Sequence, residues 1–230
     1  MDRDQAILTE SSRIADLIAG TDLAAPVPSC PDWSFRDLVL HIGEVQRFWA
    51  GDLRAGDPTQ PWRGVTAQPE SDDDLESWMR ASTADLLGAL SEVGDEARCW
   101  TWWGEPLTSG AIGRHQVQEA AVHRWDAELA SGSAAPLSHE IAHDGVGEFL
   151  AVKFGATDPA DRPGPITLRS TDTDGEWQVG DSAGGAASIV VTGTASNLVL
   201  ALYGRFDVSD LAIEGDAAAT AAFFGTIDNE

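Results

Sequence analysis

Lysine is nearly absent from this 230-residue chain. Lys153 stands with thirteen arginines, and these fourteen cations face 38 aspartates and glutamates, for a formal net charge of −24. Acid spread over the whole length repels phosphate backbones and anionic lipid, which argues against nucleic-acid and membrane partners. No apolar run approaches the roughly 18 residues that span a bilayer. The N-terminal "MDRDQAILTE" lacks the apolar segment of a secretory signal, so a cytoplasmic location is expected. Cysteine is scarce too: Cys30 and Cys99 are far apart, form no CxxC pair and read as free thiols. The phosphate-binding GxxxxGK[ST] loop, a GxGxxG at a strand–helix junction and the GxSxG nucleophile elbow are all missing. "GDSAGGAAS" places a serine among glycines but reads as a turn.

Tryptophan, by contrast, is plentiful. Eight of the nine lie between Trp33 and Trp125, where such rings fill a core or line a pocket. Helical periodicity in the same half predicts four helices. The first covers 4–19, with Gly20 as its C-cap. After it, "TDLAAPVPSCPDW" carries three prolines in close succession and reads as a rigid loop. Ser34, with Asp37 in capping-box position, starts a second helix through "FRDLVLHIGEVQRFWAGDL". Its predicted inward stripe is Leu38, His41, Val45 and Trp49 or Phe48. A Pro/Gly/Asp-rich loop fills 51–70. Ser71 with Asp74 repeats the capping pattern ahead of a third helix that ends at Gly94, and a fourth is predicted from about 111 to 130. Four such helices suit an up-and-down bundle.

"SGSAAPL" at 131–137 reads as a linker. Beyond it, 139–152 looks helical, "PITLRST", "GEWQVG" and "ASIVVTG" look like strands, and "TASNLVLALYGR" and "DAAATAAFFGTI" look like helices. The expected fold class is therefore α+β: a helical bundle over 1–135 and a small α/β unit over 136–230.

One constellation in the bundle could carry chemistry. Glu119 and His123 lie about 40° apart around the fourth helix and about 6 Å apart along it, so their tips can meet. An intrahelical ion pair, a solvated face and two ligands of a metal compete as explanations. Ala120, Ala121 and Val122 argue against a solvated face, and His41, on the inward stripe of another helix, supplies a second imidazole. Two histidines and a carboxylate are a common zinc set with an open fourth position. His115 stands about 12 Å from His123 along the same helix, too far to share one ion, and reads as a pocket-lining or surface residue. His139 and His143 read as an exposed helix start.

The residues resemble those of the mycothiol-dependent maleylpyruvate isomerase family. "VPSCPDWSFRDLVLHIGEVQRFWA" is similar to its N-terminal signature, "QEAAVHRWDAELASG" to its second, and "ASNLVLALYGRFDVSDLAIEGD" to its C-terminal segment, in matching order. The resemblance implies a DinB-like metal-binding bundle followed by a sterol-carrier-like domain. It implies a divalent metal, usually zinc, on His41, Glu119 and His123, mycothiol as the thiol cofactor, and Arg205 holding a substrate carboxylate. Many relatives have His directly before the ligand Glu, where this chain has Gln118. A metal-bound thiol would add to an electrophilic small molecule, as a cis–trans isomerase or as a thiol S-transferase. Two other readings stand beside these: a ligand-binding protein with a structural Glu–His pair, and a zinc hydrolase on the same bundle.

Overall fold

The computed structural model describes residues 1–155, 165–180 and 189–225. The chain divides into two compact units, Met1–Ala135 and Pro136–Glu230.

The first unit is built on α1 (Arg3–Ile18), α2 (Phe35–Ala55), α3 (Leu75–Val93) and α4 (Ser109–Ala130). The most extensive packing is α2 on α3 and α1 on α4, with α1 also meeting α3 and α2 also meeting α4. A bundle core of Ile14, Phe35, Leu38, Val39, Ile42, Leu75, Trp78 and Met79 fills the space between them. Ser34 and Asp37 form a complete capping box at the start of α2, and Gly56, in the left-handed region at φ 59°, ends that helix. The buried stripe of α2 runs through Leu38, Ile42, Gln46, Trp49 and Leu53. His41, Val45 and Phe48 stand at the edge of that stripe, half-buried, and not within it as the periodicity predicts.

Two local expectations are corrected. The proline-rich segment is not a bare loop: β1 (Pro26–Val27) pairs antiparallel with β2 (Cys30–Ser34). Proline removes donors, so the ribbon stays short, and Phe35 and Arg36 complete it by donating their backbone N–H groups to Ala25 and Leu23. Ser71 does not cap α3. Its hydroxyl donates to the Asp74 carboxylate, and a 3-10 turn over Asp72–Asp74 leads into the helix.

The second unit begins with α5 (His139–Phe149), which continues as a π turn over Leu150–Phe154. It then holds β3 (Ile166–Ser170), β4 (Glu176–Val179), β5 (Ile189–Gly193), α6 (Ala195–Leu202), β6 (Ala212–Glu214) and α7 (Ala217–Gly225). The sheet order is β4-β3-β5-β6, with β3 and β5 parallel and both edge strands antiparallel. Helices α5 and α6 pack on each other, and α6 lies against β3 and β5. The chain is thus of the α+β class. Most of "GDSAGGAAS", at 181–188, lies outside the described residues.

Candidate metal centre

Helix α4 is buried around most of its circumference yet rich in polar groups: His115, Gln116, Gln118, His123, Arg124, Asp126 and Glu128 are all buried. A helix enclosed on all sides is ordinarily apolar, so each of these groups needs a partner or a use. Arg124 and Glu128 are structural. The Arg124 guanidinium donates to Glu10 and Glu128 at 2.8 Å each and to the Ala135 carbonyl at 2.7 Å. Glu128 also accepts from Arg13 and from the Ala135 N–H.

The opposite side of α4 carries Glu119 and His123, and here α2 brings His41. His41 Nε2 lies 3.1 Å from Glu119 Oε1, and His123 Nε2 lies 3.6 Å from the same oxygen. One donor atom from each of the three residues lies within 4.8 Å of the others. Ligands about 2.0–2.1 Å from a tetrahedral ion stand roughly 3.3–3.4 Å apart, so the two separations from Glu119 Oε1 suit a shared ion. The set also suits zinc chemically, with two imidazole nitrogens and one carboxylate oxygen. Arg205, in contrast, belongs to the second unit. Gly204, at φ 70°, closes α6 with its N–H on the Ala201 carbonyl, while the Arg205 N–H reaches the Leu200 carbonyl. The Arg205 guanidinium donates to the Tyr203 carbonyl at 2.7 Å.

Asp126, which the sequence reading passed over, fixes His123 in place. Its Oδ2 lies 2.8 Å from His123 Nδ1, and its Oδ1 accepts from the Ser29 hydroxyl at 2.5 Å. Cys30 Sγ stands 4.0 Å from Oδ2. A carboxylate on Nδ1 places the proton there and leaves Nε2 free to ligate. The sequence signal was available: Asp126 follows His123 at i+3, on the same helix face. The β1–β2 ribbon therefore has a task beyond its own pairing, since its turn reaches Asp126. Its Trp33 also lies against both histidine rings, with centroids 4.6 Å from His41 and 6.0 Å from His123.

Electrostatics favour positive charge at this point. Burial alone would raise Glu119, but hydrogen bonds from His123 and His41 outweigh it and hold its carboxyl well below the usual range. Burial alone would lower His123, but its hydrogen bonds to Asp126 and Glu119 push it up to about 9. A cluster that retains a proton so firmly is equally a place where a cation is stabilised.

From the metal cluster toward the start of α4, the surroundings become aromatic. Trp49 on α2 stacks on Trp100 and tilts against Trp103, and Trp103 meets His115 with centroids 4.9 Å apart. His115 is therefore a buried residue among tryptophans. Asp52 anchors this wall by accepting the Trp62 N–H at 2.9 Å, and burial raises its carboxyl despite that bond. Gln118, where the resemblance noted His in relatives, is fully buried about 100° around α4 from Glu119. His139 and His143 are exposed on α5, beside Asp172 and Thr173 respectively. Among the described residues, no helix is long and apolar enough to cross a membrane.

The chain is similar to known proteins over nearly its whole length. A family model described as the mycothiol maleylpyruvate isomerase N-terminal domain matches residues 5–128, and the C-terminal domain of the same family matches residues 134–222. Two solved structures, a mycothiol-dependent maleylpyruvate isomerase and a single-residue mutant of such an enzyme, share the fold. Each has a TM-score of 0.70 at 14% identity, covering 93% of this chain and 92% of the other. No curated protein matches the chain.

Proposed function

Because the chain belongs to the mycothiol-dependent maleylpyruvate isomerase family, we propose that it is a metal-dependent enzyme that adds mycothiol to a small electrophilic carboxylate, with zinc held by His41, Glu119 and His123. The observation that carries this reading is the convergence of those three side chains, from two helices, on one point. An ion pair alone would require only Glu119 and His123. The third residue, His41, comes from a helix that already has a full apolar stripe to bury.

When bound, the ion would lower the pKa of a coordinated thiol and keep it ionised at neutral pH. The chain's own residues supply the rest. Asp126 holds the His123 ring by its Nδ1, and Trp33 packs beside both imidazoles. Arg205 is proposed to bind the substrate carboxylate through its planar guanidinium, an ideal match for two carboxylate oxygens. A thiol that adds to a cis alkene and then leaves gives the trans isomer, whereas a thiol that displaces a leaving group stays on the product. Isomerase and S-transferase thus differ in the substrate and share this machinery. A cytoplasmic location accords with a low-molecular-weight thiol as cofactor.

The purified protein tests the reading in one experiment. Wild type is expected to carry about one zinc per chain and to consume maleylpyruvate only when mycothiol is present. His41→Ala is expected to lose both the metal and the turnover, and Arg205→Met to keep the metal while raising KM for the carboxylate. Turnover of maleylpyruvate without thiol, or full activity in His41→Ala, would sink the proposal. Conjugation of an epoxide or halide in place of isomerisation would assign the S-transferase branch.

A further inference from the structure

One turn before Glu119, α4 carries a side chain that nothing described so far uses. Gln116 is 1% exposed, and neither its amide nitrogen nor its amide oxygen has a hydrogen-bond partner among the described residues. Seven residues separate it from His123, which puts the two within about 20° on the same helix face. It stands about 4.5 Å along the axis from Glu119. There is a second orphan. The buried Trp103 indole N–H also lacks a partner among the described residues, and the Trp103 ring packs on His115, the residue adjoining Gln116. Two separate elements, α4 and the segment 99–108 that precedes it, thus leave buried polar groups without partners toward the start of α4.

Leaving these groups bare is costly in a folded protein. A leucine or methionine would fill position 116 without that cost. The retained chemistry is specific: the amide offers two donors and one acceptor, and the indole one further donor. A carboxylate, which only accepts, would leave the Gln116 oxygen unmatched. A group that both accepts and donates, such as an amide or a hydroxyl pair, satisfies all three sites without bringing charge into a buried place.

We propose that Gln116 and the Trp103 N–H form the recognition point for a neutral donor–acceptor group carried by the thiol, next to the sulfur that sits at the metal. The inference rests on the thiol-dependent reading above and adds how the thiol is told from simpler ones. Selection then comes from unpaired hydrogen-bonding groups in a buried site, which discriminate strongly against ligands that cannot pair them.

Zinc-loaded wild type, Gln116→Met and Trp103→Phe are titrated calorimetrically with mycothiol and with ethanethiol, which has a thiol and no polar arm. Each variant is expected to bind mycothiol at least tenfold more weakly, to bind ethanethiol as wild type does, and to keep its zinc. Ligand-free Gln116→Met is expected to melt at or above the wild-type temperature, because the substitution removes an unsatisfied amide. A merely structural glutamine would lower it. Equal weakening toward both thiols, or undiminished mycothiol binding, overturns the proposal and leaves the function standing. Wild type that holds zinc but binds neither thiol overturns both. If Gln116→Met does not fold, Trp103→Phe, which removes the indole N–H together with part of a packed ring, decides the matter through the contrast between mycothiol and ethanethiol.

Discussion

At the scale of single residues, the site separates into what spacing reveals and what only three dimensions reveal. Glu119 and His123 announce themselves by i,i+4 spacing among alanines, and His41 by its place near an apolar stripe. Asp126 is legible only in part: its i+3 spacing from His123 shows, but its partners Ser29 and Cys30 lie 97 and 96 positions away, and a linear reading has no reason to join them. Gln116 was equally hidden, since an orphaned amide is defined by absent neighbours. The role of Asp126 has a direct consequence. Asp126→Asn keeps the size of the side chain but removes the charge that holds the Nδ1 proton. Metal affinity is expected to fall about 10–100-fold, the usual loss for such an outer partner. Competition with a chromophoric chelator would measure it, and an unchanged affinity would remove Asp126 from the centre.

Among the elements, α4 is the decisive one, since one of its sides is stapled by charge while the other carries two of the proposed metal ligands. Glu128 stands at the centre of the stapled side. Burial works against its ionised form, but bonds from the Ala135 N–H, Arg13 and Arg124 more than offset it, so its pKa lies below the usual carboxylate value. The sign follows directly. Stability from Glu128 is fully present above its unfolded pKa near 4.3–4.5 and is lost as pH falls through the lower folded value. Glu128→Gln is expected to cost about 2 kcal/mol at neutral pH and to flatten the acid side of the stability profile. Urea titrations at pH 7 and pH 3.5 check this, and an equal loss at both values would refute it. The elements themselves were unevenly legible. Long helices show their 3.6-residue period, and α4 begins at Ser109 against an expected start near 111. The two-residue β1 and three-residue β6 are too short for any period to register. The π turn after Phe149 keeps a helix-like pattern and so merges with α5 in the sequence.

For the whole molecule, the excess of acid sets how partners arrive. A net charge of −24 raises the local concentration of divalent cations and opposes the approach of an anionic substrate. Raising ionic strength from about 0.01 to 0.15 M shortens the screening length from about 30 to 8 Å. It is therefore expected to increase kcat/KM for maleylpyruvate by several-fold and to slow zinc uptake, both measurable by stopped flow. A salt-independent kcat/KM would show that the net charge is not felt at the site, and a fall with salt that the field there is reversed. The metal cluster has one further property, seen in how far apart its members lie along the chain. His41 and Glu119 are 78 positions apart, on helices that meet only once the bundle has closed. No short segment can assemble the centre, so the unfolded chain offers the ion no comparable site. Metal affinity is then converted into resistance to unfolding. At about a hundredfold excess of free zinc over Kd, the linkage is worth about 2.7 kcal/mol. Thermal scans with zinc and with a chelator should differ by several degrees, and a midpoint indifferent to zinc would mean that the folded chain holds the ion no more tightly than the unfolded one. The cell's zinc supply would thereby set how much of this protein stays folded.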